Sequence, residues 1–130
     1  MNKVQVMGIL NVTPDSFSDG GKFTNEQALT EQVQKMLAAG VDIIDIGGES
    51  TRPFAEPVPE QEELKRVIPA IQAVRALSAE IPISIDTSKA RVAAAALEHG
   101  ATMINDISAL RKESEMIAVA RNCDVPIIIM

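Results

Sequence analysis

The chain has 130 residues, 46% of them hydrophobic and 23% charged, which suits one globular domain able to bury a core. Its formal net charge of −6 argues against nucleic acid as the main partner, because phosphate contacts need clustered Lys and Arg; it leaves room for an anionic small substrate held by a local Arg, a helix N-terminus or a metal ion. A signal peptide is absent and no apolar run approaches a membrane span, so a soluble, cytoplasmic chain with no membrane partner is expected.

Strand and helix alternate along the chain. Val4 to Leu10 reads as a strand and runs into the loop opened by Asn11-Val12-Thr13-Pro14. Leu29, Val33, Met36 and Leu37 then recur at helical spacing, with Thr24 and Gln27 placed for a capping box and Gly40 for a helix stop. Ile43 to Ile46 is a second strand, closed by Gly47-Gly48. A loop with Pro53, Pro57 and Pro59 follows. Glu60, Glu62 and Glu63 suit the first turn of the next helix, whose apolar face is Leu64, Val67, Ile68, Ile71 and Val74. Pro69 lies inside that face and predicts a kink.

Ile81 to Asp86 is the third strand. Ser88 is placed to cap a third helix through Val92, Ala95 and Ala96, which Gly100 stops. Met103 to Ile107 is the fourth strand, Ser114 is placed to cap a fourth helix through Ile117 and Ala120, and Val125 to Met130 is the fifth strand. The lone cysteine, Cys123, cannot form an internal disulfide, which fits a reducing compartment; next to an apolar strand, it is expected to be buried.

Gly40-Val41-Asp42-Ile43-Ile44-Asp45 resembles Gly100-Ala101-Thr102-Met103-Ile104-Asn105, two strand–helix units later. Repeated βα units imply a parallel sheet, because helical crossovers return each strand in the same direction. The expected fold is therefore α/β: residues 1–130 as the N-terminal part of a TIM (β/α)8 barrel, about five parallel strands and four helices. A doubly wound, flavodoxin-like sheet is the alternative.

Polar groups collect after the strands: Asn11 to Gly21, Gly47 to Pro53, Asp86 to Lys89, and Asn105-Asp106. That polarity marks the active-site face of such a fold. Strand alternation turns Ile83, Ile85 and Ile104 towards the helices and Ser84, Asp86 and Asn105 inward, while Ile9 and Asn11 share a face. Asn11, Asp86 and Asn105 are then expected to converge at one mouth. Buried, they would need one another, water or a ligand, and a flat heterocycle rich in donors and acceptors would satisfy them.

Two long stretches carry a family resemblance. Met7 to Gly21, MGILNVTPDSFSDGG, and Asp45 to Pro53, DIGGESTRP, resemble the first two signatures of the dihydropteroate synthases. Ile83 to Ser88 and Ile104 to Ile107 are similar to that family's next two strand ends, in order. The resemblance implies a pterin-binding TIM barrel that condenses 6-hydroxymethyl-7,8-dihydropterin diphosphate with p-aminobenzoate, releasing dihydropteroate and diphosphate, with sulfonamides competing for the aminobenzoate position.

It also implies roles for individual residues. Asn11 would hold Mg2+ beside the diphosphate through a hard carbonyl oxygen; closing a turn is the plain alternative. Thr51 and Arg52 would bind the diphosphate, the guanidinium as a fork. Phe17 and Pro53 would clamp the aminobenzoate ring. Asp19 would stabilise positive charge developing at the pterin methylene, making it catalytic together with Arg52. Asp86 and Asn105 would read the pterin edge. Asp15, Asp45, Glu49 and Asp106 are expected only to order loops or strand ends, and His99 to be a solvated residue at a helix C-terminus.

Phe54 departs from the family pattern, which has Gly there. The family's later motifs, an Asp-Pro-Gly segment with its Lys, a Ser-Arg-Lys segment and a last Arg, have no counterpart in these 130 residues. The 130 residues alone are accordingly expected to be inactive and to self-associate as a homo-oligomer. The alternative function is a non-catalytic pterin- or phosphate-binding half-barrel. Methyltetrahydrofolate methyltransferases resemble strands three and four but lack both loop signatures.

Overall fold

The computed structural model describes residues 3–13, 25–49, 57–106, 108 and 114–129. Nine elements alternate: β1 (Met7–Asn11), α1 (Asn25–Ala39), β2 (Ile43–Gly47), α2 (Glu60–Leu77), β3 (Ile83–Asp86), α3 (Ala90–Glu98), β4 (Met103–Asp106), α4 (Glu115–Cys123) and β5 (Ile127–Ile129). All four strand pairs are parallel, in the order β1-β2-β3-β4-β5. That order decides between the two expected architectures. A doubly wound sheet reverses its strand order at a switch point, whereas a barrel adds each strand beside the last. This is the five-strand portion of a TIM barrel.

The helices pack in sequence, α1 on α2, α2 on α3 and α3 on α4. The outward strand residues Leu10, Ile44, Ile46, Ile83, Ile85 and Ile104 are buried beneath Val67, Ile71 and Val74 of α2, Val92 and Ala96 of α3, and their neighbours. Among the described residues this layer holds no aromatic side chain, and its burial is the main stabilising term.

Element ends differ from the sequence reading in instructive ways. Val4 and Val6 are exposed and precede β1, although Val6 O still accepts from Asp42 N and Ile43 N. Ile81 and Pro82 precede β3, because Pro82 has no N–H and the Ile81 N–H bonds Ser78 Oγ instead. α2 runs unbroken from Glu60 through Pro69 to Leu77. Ser88 does not cap α3; the N-cap is Lys89, whose N–H donates to Thr87 Oγ1. Ser114 precedes α4 without a side-chain cap, and Met116 is that helix's buried residue while Ile117 is exposed. Cys123 is exposed, contrary to expectation: it is the last residue of α4 and lies in the exposed run Arg121 to Asp124 at that helix end. Thr24 and Ile107 lie outside the described residues.

Candidate functional site

The C-terminal strand ends form a single row. Asn11 is in register with Gly47, Gly47 with Asp86, Asp86 with Asn105, and Asn105 with Ile128. The three polar residues expected to converge therefore do so, on the inward face. Asn11 is exposed at one side, Asp86 is half-buried and Asn105 is buried. At ~4.8 Å per strand, Asn11 and Asp86 stand ~10 Å apart, with Gly47 between them. A Cβ on Gly47 would come within 3.3 Å of the Asp86 Cβ and 3.4 Å of its Oδ2, so the missing side chain keeps the space beside the carboxylate open.

One layer deeper, Ile9, Asp45 and Ser84 share the next row with Met103. Asp45 and Ser84 are buried. Asn105 Nδ2 donates to Asp45 Oδ1 at 3.3 Å, which turns Asn105 Oδ1 away from that bond. Asn105 Oδ1 is buried with no partner among the described residues, and neither has Ser84 Oγ one of full hydrogen-bond geometry. Such atoms are costly to leave unpaired and point to a ligand or water that supplies donors.

The electrostatics agree. Burial pushes the Asp86 carboxyl up to about 7, and the neighbouring charges of Asp45, Glu63, Asp106 and Glu49 push in the same direction. Burial also raises Asp45, with Ser84 and the Asn105 amide countering part of the rise. Among the described residues the mouth is lined by carboxylates and an amide oxygen, which favours a ring that donates hydrogen bonds.

The surrounding residues hold strand ends in place. Asp106 Oδ1 accepts from Ser108 N at 2.9 Å and from its Oγ at 2.7 Å. Glu49 Oε2 accepts from Val58 N at 2.9 Å. His99 is exposed, with Nδ1 2.8 Å from Ala95 O at the end of α3. Phe17, Asp19, Thr51, Arg52 and Pro53 lie outside the described residues. A groove of about 740 Å3 between α1 and α2, lined by residues such as Leu29, Arg66 and Pro69, involves none of Asn11, Asp86 or Asn105.

A family model described as a pterin binding enzyme matches residues 7–130. The chain belongs to this pterin-binding family. It is 51% identical over 128 residues to the dihydropteroate synthase of Clostridium beijerinckii, covering 98% of this chain and 47% of that protein. Identity to the dihydropteroate synthase of Synechocystis is 55% over 128 residues, covering 98% and 44%. A Clostridium difficile dihydropteroate synthase solved in the presence of pteroic acid superposes with a TM-score of 0.88 at 51% identity, covering 95% of this chain and 46% of that one. The Xanthomonas albilineans enzyme solved with 4-aminobenzoic acid gives 0.87 at 49% identity, covering 95% and 44%. The chain thus spans a little under half the length of these relatives.

Asp45, buried on the inward face and bonded to Asn105, was read from the sequence only as a residue that orders a strand end. Strand alternation applied to β2 would have found it, since Asp45 shares its face with Gly47 and stands in register with Ser84. The buried Glu63 was also read only as a first-turn acid. Its spacing from Val67, Ala70 and Val74, all buried, was the available signal.

Proposed function

We propose that this segment supplies the N-terminal half of the active site of a dihydropteroate synthase, joining 6-hydroxymethyl-7,8-dihydropterin diphosphate to p-aminobenzoate. The observation that carries this is the row Asn11–Gly47–Asp86–Asn105 with its unpaired Asn105 Oδ1. The pyrimidine edge of a pterin presents an exocyclic amino group and ring N–H groups. Asp86 and Asn105 Oδ1 present acceptors side by side, and Gly47 leaves room for the ring. The likeness to synthases solved with pteroic acid and with 4-aminobenzoic acid supports both substrates.

In this reading the aminobenzoate nitrogen attacks the pterin methylene carbon. A C–N bond forms, the C–O bond to diphosphate breaks, and the nitrogen loses a proton. Asp86 and Asn105 hold the ring so that the methylene faces the incoming amine. Thr51 and Arg52 take the diphosphate, Asp19 stabilises charge at the methylene, and Phe17 and Pro53 flank the aminobenzoate ring. Asn11, exposed at the mouth, fits as one hard oxygen ligand for Mg2+; no cluster of three His, Cys, Asp or Glu that could hold a metal occurs among the described residues. Mg2+ bound there would draw its other ligands from phosphate and water and neutralise the leaving group. A cytoplasmic setting belongs to the same reading, supported by a single cysteine. Among the described residues no helix is long and apolar enough to cross a membrane.

The test is dihydropteroate formation by a full-length form carrying these residues. Arg52→Ala in that form should weaken the diphosphate substrate at constant Mg2+, and Phe17→Ala should raise the aminobenzoate KM more than the pterin KM. A full-length form that binds pterin yet makes no product would instead support a non-catalytic binding half-barrel.

A further inference from the structure

The bond from Asn105 to Asp45 skips a strand. Asp45 lies on β2 and Asn105 on β4, with β3 between them. In register, Ser84 stands beside Asp45 and Asp86 beside Asn105. The bond, 3.3 Å from Asn105 Nδ2 to Asp45 Oδ1, therefore runs diagonally over the inner face of β3, between Ser84 and Asp86. Two strand spacings come to roughly 9–10 Å. Side chains as short as Asp and Asn close that gap because inward residues of a barrel converge and because the side chain beneath them is shorter still.

Ser84 is that side chain. It is 0% exposed, and its Oγ has no partner of full hydrogen-bond geometry among the described residues. A buried hydroxyl without a full bond is destabilising, so hydrogen bonding of its own does not account for a serine here. Space does. Valine or isoleucine, which buried strands ordinarily favour, would raise two branches perpendicular to the sheet and into the path of the bond. The outward face of the same strand follows the ordinary preference, with Ile83 and Ile85 both buried. The hydroxyl adds a smaller effect: burial raises the Asp45 pKa, and Ser84, with the Asn105 amide, counters part of the rise. An ionised Asp45 only accepts, so it meets Asn105 through the amide nitrogen and leaves the amide oxygen for a ligand.

We propose that Ser84 is a positioning residue for pterin binding: its short side chain lets Asn105 reach Asp45 across β3, which turns the Asn105 oxygen towards the ligand. The proposal rests on the synthase reading, in which that oxygen and Asp86 accept from the pterin edge. Ser84 itself makes no contact with substrate. Its effect is on which atom of Asn105 the substrate meets.

The test is a double-mutant cycle in a full-length form. Binding of 6-hydroxymethylpterin is measured by calorimetry, and the Asn105 side-chain amide, identified by its loss in Asn105→Ala, is followed by NMR. Ser84→Val should lower pterin affinity about tenfold and move the Asn105 amide signals from the positions they hold beside a carboxylate. Ser84→Ala keeps the space and should retain those signals, with affinity within about twofold of the unaltered protein. In an Asn105→Ala background, Ser84→Val should weaken binding by less than about twofold, because the bond it blocks is already gone. If valine is not tolerated, Ser84→Thr adds one methyl and should act in the same direction, by about threefold. Unmoved amide signals in a folded Ser84→Val protein would overturn the proposal. Loss of the signals in Ser84→Ala would do so too, because the hydroxyl rather than the space would then hold the bond. So would the same tenfold loss in the Asn105→Ala background, since that is general loosening. Failure of the unaltered protein to bind pterin would sink the synthase reading instead, while the amide signals would still report whether Ser84 governs the bond.

Discussion

Asn105 and Asp45 stand on neighbouring layers of the barrel interior, and the Asn105 amide nitrogen donates to the Asp45 carboxylate at 3.3 Å. The bond decides which end of the amide is left for a ligand: the oxygen. Together with Asp86 in the adjacent register position, the site then presents acceptors only. Asp45→Asn offers Asn105 either an oxygen or a nitrogen, so both amide orientations become available. In a full-length form, pterin affinity should drop about fivefold, the worth of one hydrogen bond near ~1 kcal/mol. The melting temperature should hold or rise, because a desolvated carboxylate is removed. Calorimetric titration checks this; unchanged pterin affinity would show that Asp45 does not orient the amide.

Asp86 should make both binding and stability depend on pH. Its carboxyl ionises near 7 in the folded chain, chiefly through burial, against about 3.9 when unfolded. Between those values the folded state holds a proton that the unfolded state has released. The stabilisation is therefore present in full below about 4 and is lost as pH rises through about 7. Asp45, also raised, adds in the same direction. Asp86→Asn should flatten the fall in denaturation midpoint across this window. Pterin binding has the opposite sign: a donor-rich edge favours the ionised carboxylate, so affinity should weaken as pH falls through about 7, and in Asp86→Asn it should be weaker throughout and lose that slope. A midpoint profile identical in the variant would show that Asp86 keeps an ordinary pKa.

How much of this was legible beforehand follows from what local pattern encodes. Strand alternation placed Ile83, Ile85 and Ile104 under the helices and Asp86 and Asn105 inside, because the period of two is a backbone property. Periodicity alone left the doubly wound sheet open beside the expected barrel, since strand order depends on where each crossover lands and both folds repeat βα units; the loop signatures, not the periodicity, favoured the barrel, and the strand order agrees. Lys89 was invisible as a partner of Glu63 and Glu49 because those contacts join residues 26 and 40 positions apart. Ser88 was read as a cap from its type alone, whereas the hydroxyl that meets the α3 N-terminus belongs to Thr87, already held by Glu63.

The opposite end of the barrel gives a stability prediction independent of function. Gly100 has φ +123°, and a Cβ there would meet Arg75 Cγ and Nε at 3.0 Å. Arg75 cannot move aside freely: Nη2 donates to Gly100 O at 2.6 Å, and Nη1 to Ile81 O at 2.6 Å and Ser78 O at 3.2 Å. Gly40, at φ +82°, meets nothing within 4 Å. Gly40→Ala should cost about 1 kcal/mol, the price of a left-handed alanine, and Gly100→Ala about 2–3 kcal/mol, because contact is added to strain. Neither should alter pterin affinity in molecules that remain folded. Denaturant titration in a full-length form gives the order, and equal costs would mean that Arg75 yields without loss.

The last prediction concerns the 130 residues on their own. In the described sheet β1 is bonded only to β2 and β5 only to β4, so each has one side with unpaired backbone groups. Near those edges Val6, Ile9 and Ile129 are 56%, 61% and 54% exposed. The last six residues, Val125-Pro126-Ile127-Ile128-Ile129-Met130, carry no charge to discourage pairing, and Pro126 guards only their beginning. The inward row is similarly uncovered at Ile9 and Asn11. A strand edge and an apolar inner face exposed together favour a second copy as their cover, and two copies of a five-strand sheet have enough strands to approach a closed arrangement. Light scattering on the 130-residue chain should therefore show mass rising with concentration, and the same samples should form no dihydropteroate, because the segment spans under half the length of the synthases it resembles. A dilute, stable monomer that turns over both substrates would show that these five strands suffice for the fold and for the chemistry.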